Sequence, residues 1–217
     1  LKQLGLAQEM YAGDEDGYLT GSRNDDEATP GDGPGWGTSY WPKVLLPYAN
    51  AKDLFVCPSE RHADDEGYRR YSNEGSGSAT QSEPKQVTYV YNSFSGFHWN
   101  DLTSGKRLRG YNHVQHTGNL SWYGAKQSEV QYPAQGFFIL DAQTQLGADP
   151  ATGNTLIHIY TDRTTDAVGE GGLSSVWSMI GRRHRQRFNA LFGDQHVELR
   201  NWGDSDRYDY AMNAKRP

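Results

Sequence analysis

The chain has 217 residues, with 21 Lys and Arg against 27 Asp and Glu, for a formal net charge of −6. That balance argues against a duplex-binding protein, which needs a basic face to neutralise phosphates. The 14 Tyr and 6 Trp argue against disorder, the 25 Gly and 9 Pro imply many turns, and one cysteine, Cys57, excludes an intrachain disulfide.

Residues 1–12 read as the end of a helix. Leu1, Leu4, Ala7 and Tyr11 recur at helical spacing, Leu6 and Met10 widen the stripe, and Gly13 suits the stop. Residues 13–39, rich in Gly, Pro and Asp, read as loop. A short amphipathic segment follows at 40–49, bounded by Pro42 and Pro47, and then an apolar run at 53–59 stopped by Pro58. Residues 60–85 are charged and then Ser/Gly-rich, the composition of a surface insertion. The β-branched and aromatic run 86–94 reads as a strand, and 95–131 as a second long, polar insertion. GFFILD at 136–141 reads as a buried strand and 155–160 as another. Residues 188–192 and 196–200 flank Gly193-Asp194-Gln195 in the pattern of a hairpin. The sum is an α+β domain: one helix end (1–12), then a β-rich body (13–217) with an antiparallel sheet and insertions near 60–85 and 95–131.

His184 and Asp194 are separated by nine residues, and Asn189, Phe192, His196 and Val197 surround them in the pattern RH…N.LF.D.HV. Upstream, in order, come LKQLGLAQEMYAGDEDGYL, Trp41 with Leu45-Leu46-Pro47-Tyr48, Phe55-Val56-Cys57-Pro58-Ser59, and Tyr132-Pro133 before the strand that ends at Asp141. This ordered set resembles the bacterial pilin-like (pseudopilin) proteins related to the major pseudopilin of type II secretion, which carry a C-terminal His-x9-Asp-Gly signature. The sequence departs from that signature at Gln195, which stands where the family has glycine. The resemblance implies a pilin-like fold and a structural subunit of a pilus or pseudopilus rather than an enzyme. Its partners would be other pilin-like subunits and secretion machinery. An apolar N-terminal helix preceding Leu1 would anchor it in the inner membrane, with this domain in the periplasm or on the cell surface. His184, Asn189, Asp194 and His196 would be its structural signature.

Other motifs have competing readings. His184, Asp194 and His196, joined by Asp141 if their strands are adjacent, would make a metal-dependent hydrolase site; the alternative is that His184 and Asp194 hold backbone around the hairpin. Asp14, Asp16 and Gly17 resemble the start of a calcium loop but lack its closing ligands. Related secretion pseudopilins bind calcium, so one calcium ion is carried as an expectation, with Asp14, Asp16 and Asp194 as candidate ligands. His113 and His116 read as surface histidines. Trp36, Trp41, Trp99, Trp122, Trp177 and Trp202 suit either a carbohydrate-binding platform or an aromatic core. Arg182, Arg183, Arg185 and Arg187 form the one basic run, read as a solvated face or protein contact and not as a nucleic-acid site. Cys57, in an apolar run, reads as a buried structural thiol.

Overall fold

A computed structural model describes residues 1–21, 23–24, 39–59, 87–92, 111–114, 122–142, 158–159, 180–201, 204–205, 209, 212 and 215. Helix α1 spans Lys2–Asp14. It passes through Gly13 and stops where left-handed backbone appears, at Asp16 (φ 51°) and Gly17 (φ 82°), with the Gly17 N–H donating to Ala12 O at 2.8 Å. Leu4, Ala7, Gln8 and Ala12 are buried, and Leu1 and Tyr11 pack against the core. Leu6 and Met10, one turn apart, point away and are 59% and 50% exposed, so the apolar stripe read from the sequence splits between two faces.

Helix α2 spans Trp41–Ala49 and contains both prolines that were read as its bounds. Pro42 lies in the first turn, where a missing N–H costs nothing. Trp41 and Leu45, one turn apart, are fully buried. Tyr11 and Tyr48 join the two helices edge to face at 5.7 Å, and the Tyr48 hydroxyl donates to Asp14 at 3.1 Å. A 3-10 turn at Lys52–Phe55 follows.

The strands are β1 (Arg23–Asn24), β2 (Ser39–Tyr40), β3 (Tyr89–Asn92), β4 (Asn112–Val114), β5 (Trp122–Gly124), β6 (Phe137–Asp141), β7 (His158–Ile159), β8 (Arg187–Phe192) and β9 (Val197–Asn201). The main sheet has the order β7-β3-β6-β8-β9, while β1 pairs with β2 and β4 with β5. Strands β3, β6, β8 and β9 run antiparallel, as expected for an α+β domain, and β7 adds to β3 in parallel. Every residue of β6 is buried, as its unbroken apolar run requires of a central strand. A register irregularity between Phe137 and Ile139 accommodates Phe138 in the β6–β8 ladder.

The core is aromatic. Trp41, Phe55, Tyr91, Tyr111, Phe137 and Phe188 are its largest fully buried side chains, with Tyr91 and Tyr111 edge-on to Phe138 at 5.1 and 4.9 Å. Tyr111 and the buried Ala125 fall inside 95–131, so that stretch contributes to the core as well as to the surface. The insertion near 60–85 lies outside the described residues.

The β8–β9 hairpin forms where the sequence placed it. Gln195 N–H donates to Phe192 O at 2.9 Å, and Phe192 N–H to His196 O at 3.0 Å, closing a three-residue loop. The left-handed position is Gln195, at φ 68°. Gly193 does not supply that freedom. It is needed for close approach, because a Cβ there would lie 2.4 Å from the Tyr111 hydroxyl oxygen.

Candidate functional site

Asp141 closes β6, and its carboxylate is fully buried. A buried carboxylate is stable only when its lone pairs are filled, and three hydrogen bonds and one histidine contact surround this one. The Asn189 N–H and Nδ2 reach Oδ2 at 2.7 and 3.1 Å. His184 Nε2 lies 3.2 Å from Oδ2, and Arg183 Nη1 lies 3.3 Å from Oδ1. The side chain thus takes the N–H of Asn189 where the β6–β8 ladder leaves its last register pair, Leu140 with Ala190.

Arg183 extends the node. Its guanidinium also donates to Thr88 O at 3.2 Å and to Ala142 O. Thr88 in turn receives the Cys57 N–H at 2.5 Å on its hydroxyl. Cys57 Sγ lies 3.5 Å from His184 Nε2. One buried cluster therefore ties together the segments at 55–57, 87–88, 141–142, 180–184 and 189. Two glycine-like features aim Arg183 and His184 into it. A Cβ on Gly181 would sit 2.5 Å from Ala142 O. Arg185 and Gln186 both adopt left-handed backbone (φ 57° and 64°) between His184 and Arg187, which exchange N–H···O bonds at 3.3 and 3.2 Å. Two consecutive left-handed residues are what a type I′ turn demands and what Asn-Gly usually supplies. Holding Arg and Gln there stores strain at this spot.

The node is not a nucleophilic triad. In such a triad the imidazole meets the nucleophile through one nitrogen and the carboxylate through the other. Here both Cys57 and Asp141 face the same atom, Nε2, and the thiol is buried. What the arrangement offers is three ligand atoms, from Cys57, Asp141 and His184, all within 4.8 Å of one another. They are the one such group among the described residues.

His184, Asp194 and His196 do not come together. His184 precedes β8, and Asp194 and His196 lie beyond its other end, across a six-residue strand of about 20 Å. Asp194 and His196 pair with each other instead. The carboxylate accepts the His196 N–H at 3.2 Å and meets Nδ1 at 2.5 Å, and the ring stacks on Phe192 at 4.0 Å. This is the turn-holding role read for Asp194. Asp141 and His184 do meet, through the adjacency of β6 and β8. Asn189, of the same signature, serves Asp141. Asp14 and Asp16 are exposed at the end of α1, and Asp14, Asp16 and Asp194 form no ligand group among the described residues. Of the basic run, Arg183 turns inward, while Arg182, Arg185 and Arg187 are exposed. Trp41 is buried; the other five Trp side chains and those of His113 and His116 lie outside the described ones. The sequence reading missed the partnership of Cys57 with His184; its one signal was a cysteine in a run too apolar to be exposed.

No protein-family model, no curated protein and no solved structure matches the chain.

Proposed function

We propose that this chain is the globular domain of a pilin-like or pseudopilin subunit, acting by assembly rather than catalysis. The observation that carries the reading is α1. One face of it packs on the core through Leu4, Ala7, Gln8 and Ala12, and the other presents Leu6 and Met10 to solvent. An exposed apolar pair on a firmly packed helix suits lateral contact with a second helix. The antiparallel sheet beside it and the ordered resemblance along the sequence support the same reading. So does the use of His184 and Asn189, which are spent on a buried carboxylate that holds segments together. Among the described residues no helix is long and apolar enough to cross a membrane, so anchoring in the cell envelope would rest on residues preceding Leu1. The partners on this reading are other pilin-like subunits and secretion machinery. The rivals are less well supported: the trio His184, Asp194 and His196 is split between two ends of β8, and Trp41 is internal.

The test starts from the reading frame upstream of Leu1, which is expected to encode a small-residue cleavage site followed by about 20 apolar residues. The longer chain should enter membrane or sheared-filament fractions. Leu6→Asp with Met10→Asp should lower its cross-linking to itself while leaving the 217-residue domain folded. An upstream frame without an apolar segment, or cross-linking indifferent to the two substitutions, would overturn the proposal.

A further inference from the structure

His184 Nε2 lies 3.5 Å from Cys57 Sγ and 3.2 Å from Asp141 Oδ2. A ring nitrogen carries at most one proton, and that proton can align with one acceptor. Two acceptors at contact distance on the same nitrogen leave one of them poorly served. A tetrahedral zinc ion, with bonds of about 2.3 Å to sulfur and about 2.0–2.1 Å to nitrogen and oxygen, holds its S and N ligands about 3.5 Å apart and its N and O ligands about 3.3 Å apart. The two observed separations match two edges of that tetrahedron, and the third pair, Cys57 with Asp141, lies within 4.8 Å.

We propose that Cys57, Asp141 and His184 bind one Zn²⁺-class ion. The remaining contacts are the outer support such a site needs. Asn189 donates twice to the ligating oxygen, and Arg183 holds the other carboxylate oxygen. Cys57 and Asp141 are buried, and the His184 side chain is 22% exposed, which gives the ion its entry and a solvent molecule its place as fourth ligand. Binding balances as follows: the thiol S–H bond breaks, the proton leaves to solvent, sulfur binds as thiolate, and His184 binds as neutral imidazole with its proton on Nδ1. Thiolate and carboxylate cancel the charge of the ion. The sulfur and imidazole ligands select zinc or cobalt over calcium or magnesium, which prefer all-oxygen sets. The ion would staple the loop after the 3-10 turn to the end of β6 and the start of β8. This proposal is independent of the assembly reading.

The experiment uses the untagged 217-residue chain, stripped with chelator and kept reduced. Titration with Co²⁺ should give a thiolate-to-cobalt charge-transfer band saturating at one equivalent, bleached by Zn²⁺ and indifferent to Ca²⁺. Cys57→Ser should abolish the band and weaken Zn²⁺ binding at least about 100-fold, and His184→Gln should weaken it comparably. The hairpin-tip variant His196→Ala should leave both unchanged. Circular dichroism of each apo variant separates lost binding from lost folding. If both ligand variants unfold, a rise in the wild-type unfolding midpoint with Zn²⁺ but not Mg²⁺, together with the charge-transfer band, sustains the site. The absence of a charge-transfer band in the folded wild type, or Zn²⁺ binding that survives Cys57→Ser, overturns it.

Discussion

Asp141→Ala tests whether the buried carboxylate holds the fold. The substitution strips three donors of their acceptor, the Asn189 N–H and Nδ2 and Arg183 Nη1, and removes the carboxylate beside His184 Nε2. Breaking a buried ion pair from one side typically costs about 3–5 kcal/mol. Arg183 keeps the carbonyls of Thr88 and Ala142, and its side chain retains 12% exposure, so the charge is not stranded. That places the expected loss at the lower end, about 3 kcal/mol, or about 6–12 °C in Tm for a domain of this size. Urea unfolding followed by tryptophan fluorescence, in chelator so that no bound metal contributes, measures it. The Asp141→Ala/Arg183→Met double-mutant cycle should give a coupling of about 1 kcal/mol or more. A single-variant loss below about 1 kcal/mol, or a coupling near zero, would refute the argument that this carboxylate organises the segments around it.

Two further outcomes follow from the same structure. Replacing Arg185-Gln186 by Asn-Gly should stabilise the protein by about 1 kcal/mol, since it relieves two left-handed residues at the cost of glycine's entropy in the unfolded chain; thermal denaturation reads this as a gain of about 2–4 °C. Burial pushes the phenols of Tyr89, Tyr91 and Tyr111 well above their ordinary value of 10, with the charges of Cys57 and Asp141 adding to it at Tyr89. Each contributes stability in full below pH 10, where both states keep the proton, and loses it as pH rises towards the folded value. Three such groups give a slope of about 4 kcal/mol per pH unit above pH 10. Urea midpoints between pH 9 and pH 11 should fall steeply, with the phenolate absorbance of these groups appearing only on unfolding.

What the sequence made legible was what local pattern controls. The helical spacing of Leu4, Ala7 and Tyr11, the unbroken run Phe137–Asp141 and the turn between Phe192 and His196 each specify their element within a few residues. The sequence misled where a local rule met tertiary packing. Gly13 looked like the helix stop, yet Gly17 and Asp16 hold the left-handed positions. Gln195, not a glycine, holds the left-handed position of the hairpin, while Gly193 is fixed by its approach to Tyr111. The parallel pairing of β7 with β3 and the meeting of Cys57 with His184 join residues 67 or more positions apart; no period or motif encodes such contacts.

The nine residues between His184 and Asp194 acquire a physical meaning from β8. At the start of the strand His184 is held by Asp141, directly after which the left-handed pair Arg185-Gln186 turns the chain into β8. At its end the backbone is pinned again, with Gly193 N–H donating to Gly136 O at 3.3 Å and Asp194 N–H to Pro133 O at 3.2 Å. Both anchors lie on or beside β6, so the chain between them must have one length: a two-residue turn, six residues of β8 and the first residue of the next turn. A one-residue deletion within β8 would flip the residues on one side of it to the opposite face and break the burial pattern of Phe188, Ala190, Leu191 and Phe192. The spacing is thus a gauge for one strand fixed at both ends, which is why a histidine and an aspartate about 20 Å apart along β8 read in the sequence as a single motif without sharing a site.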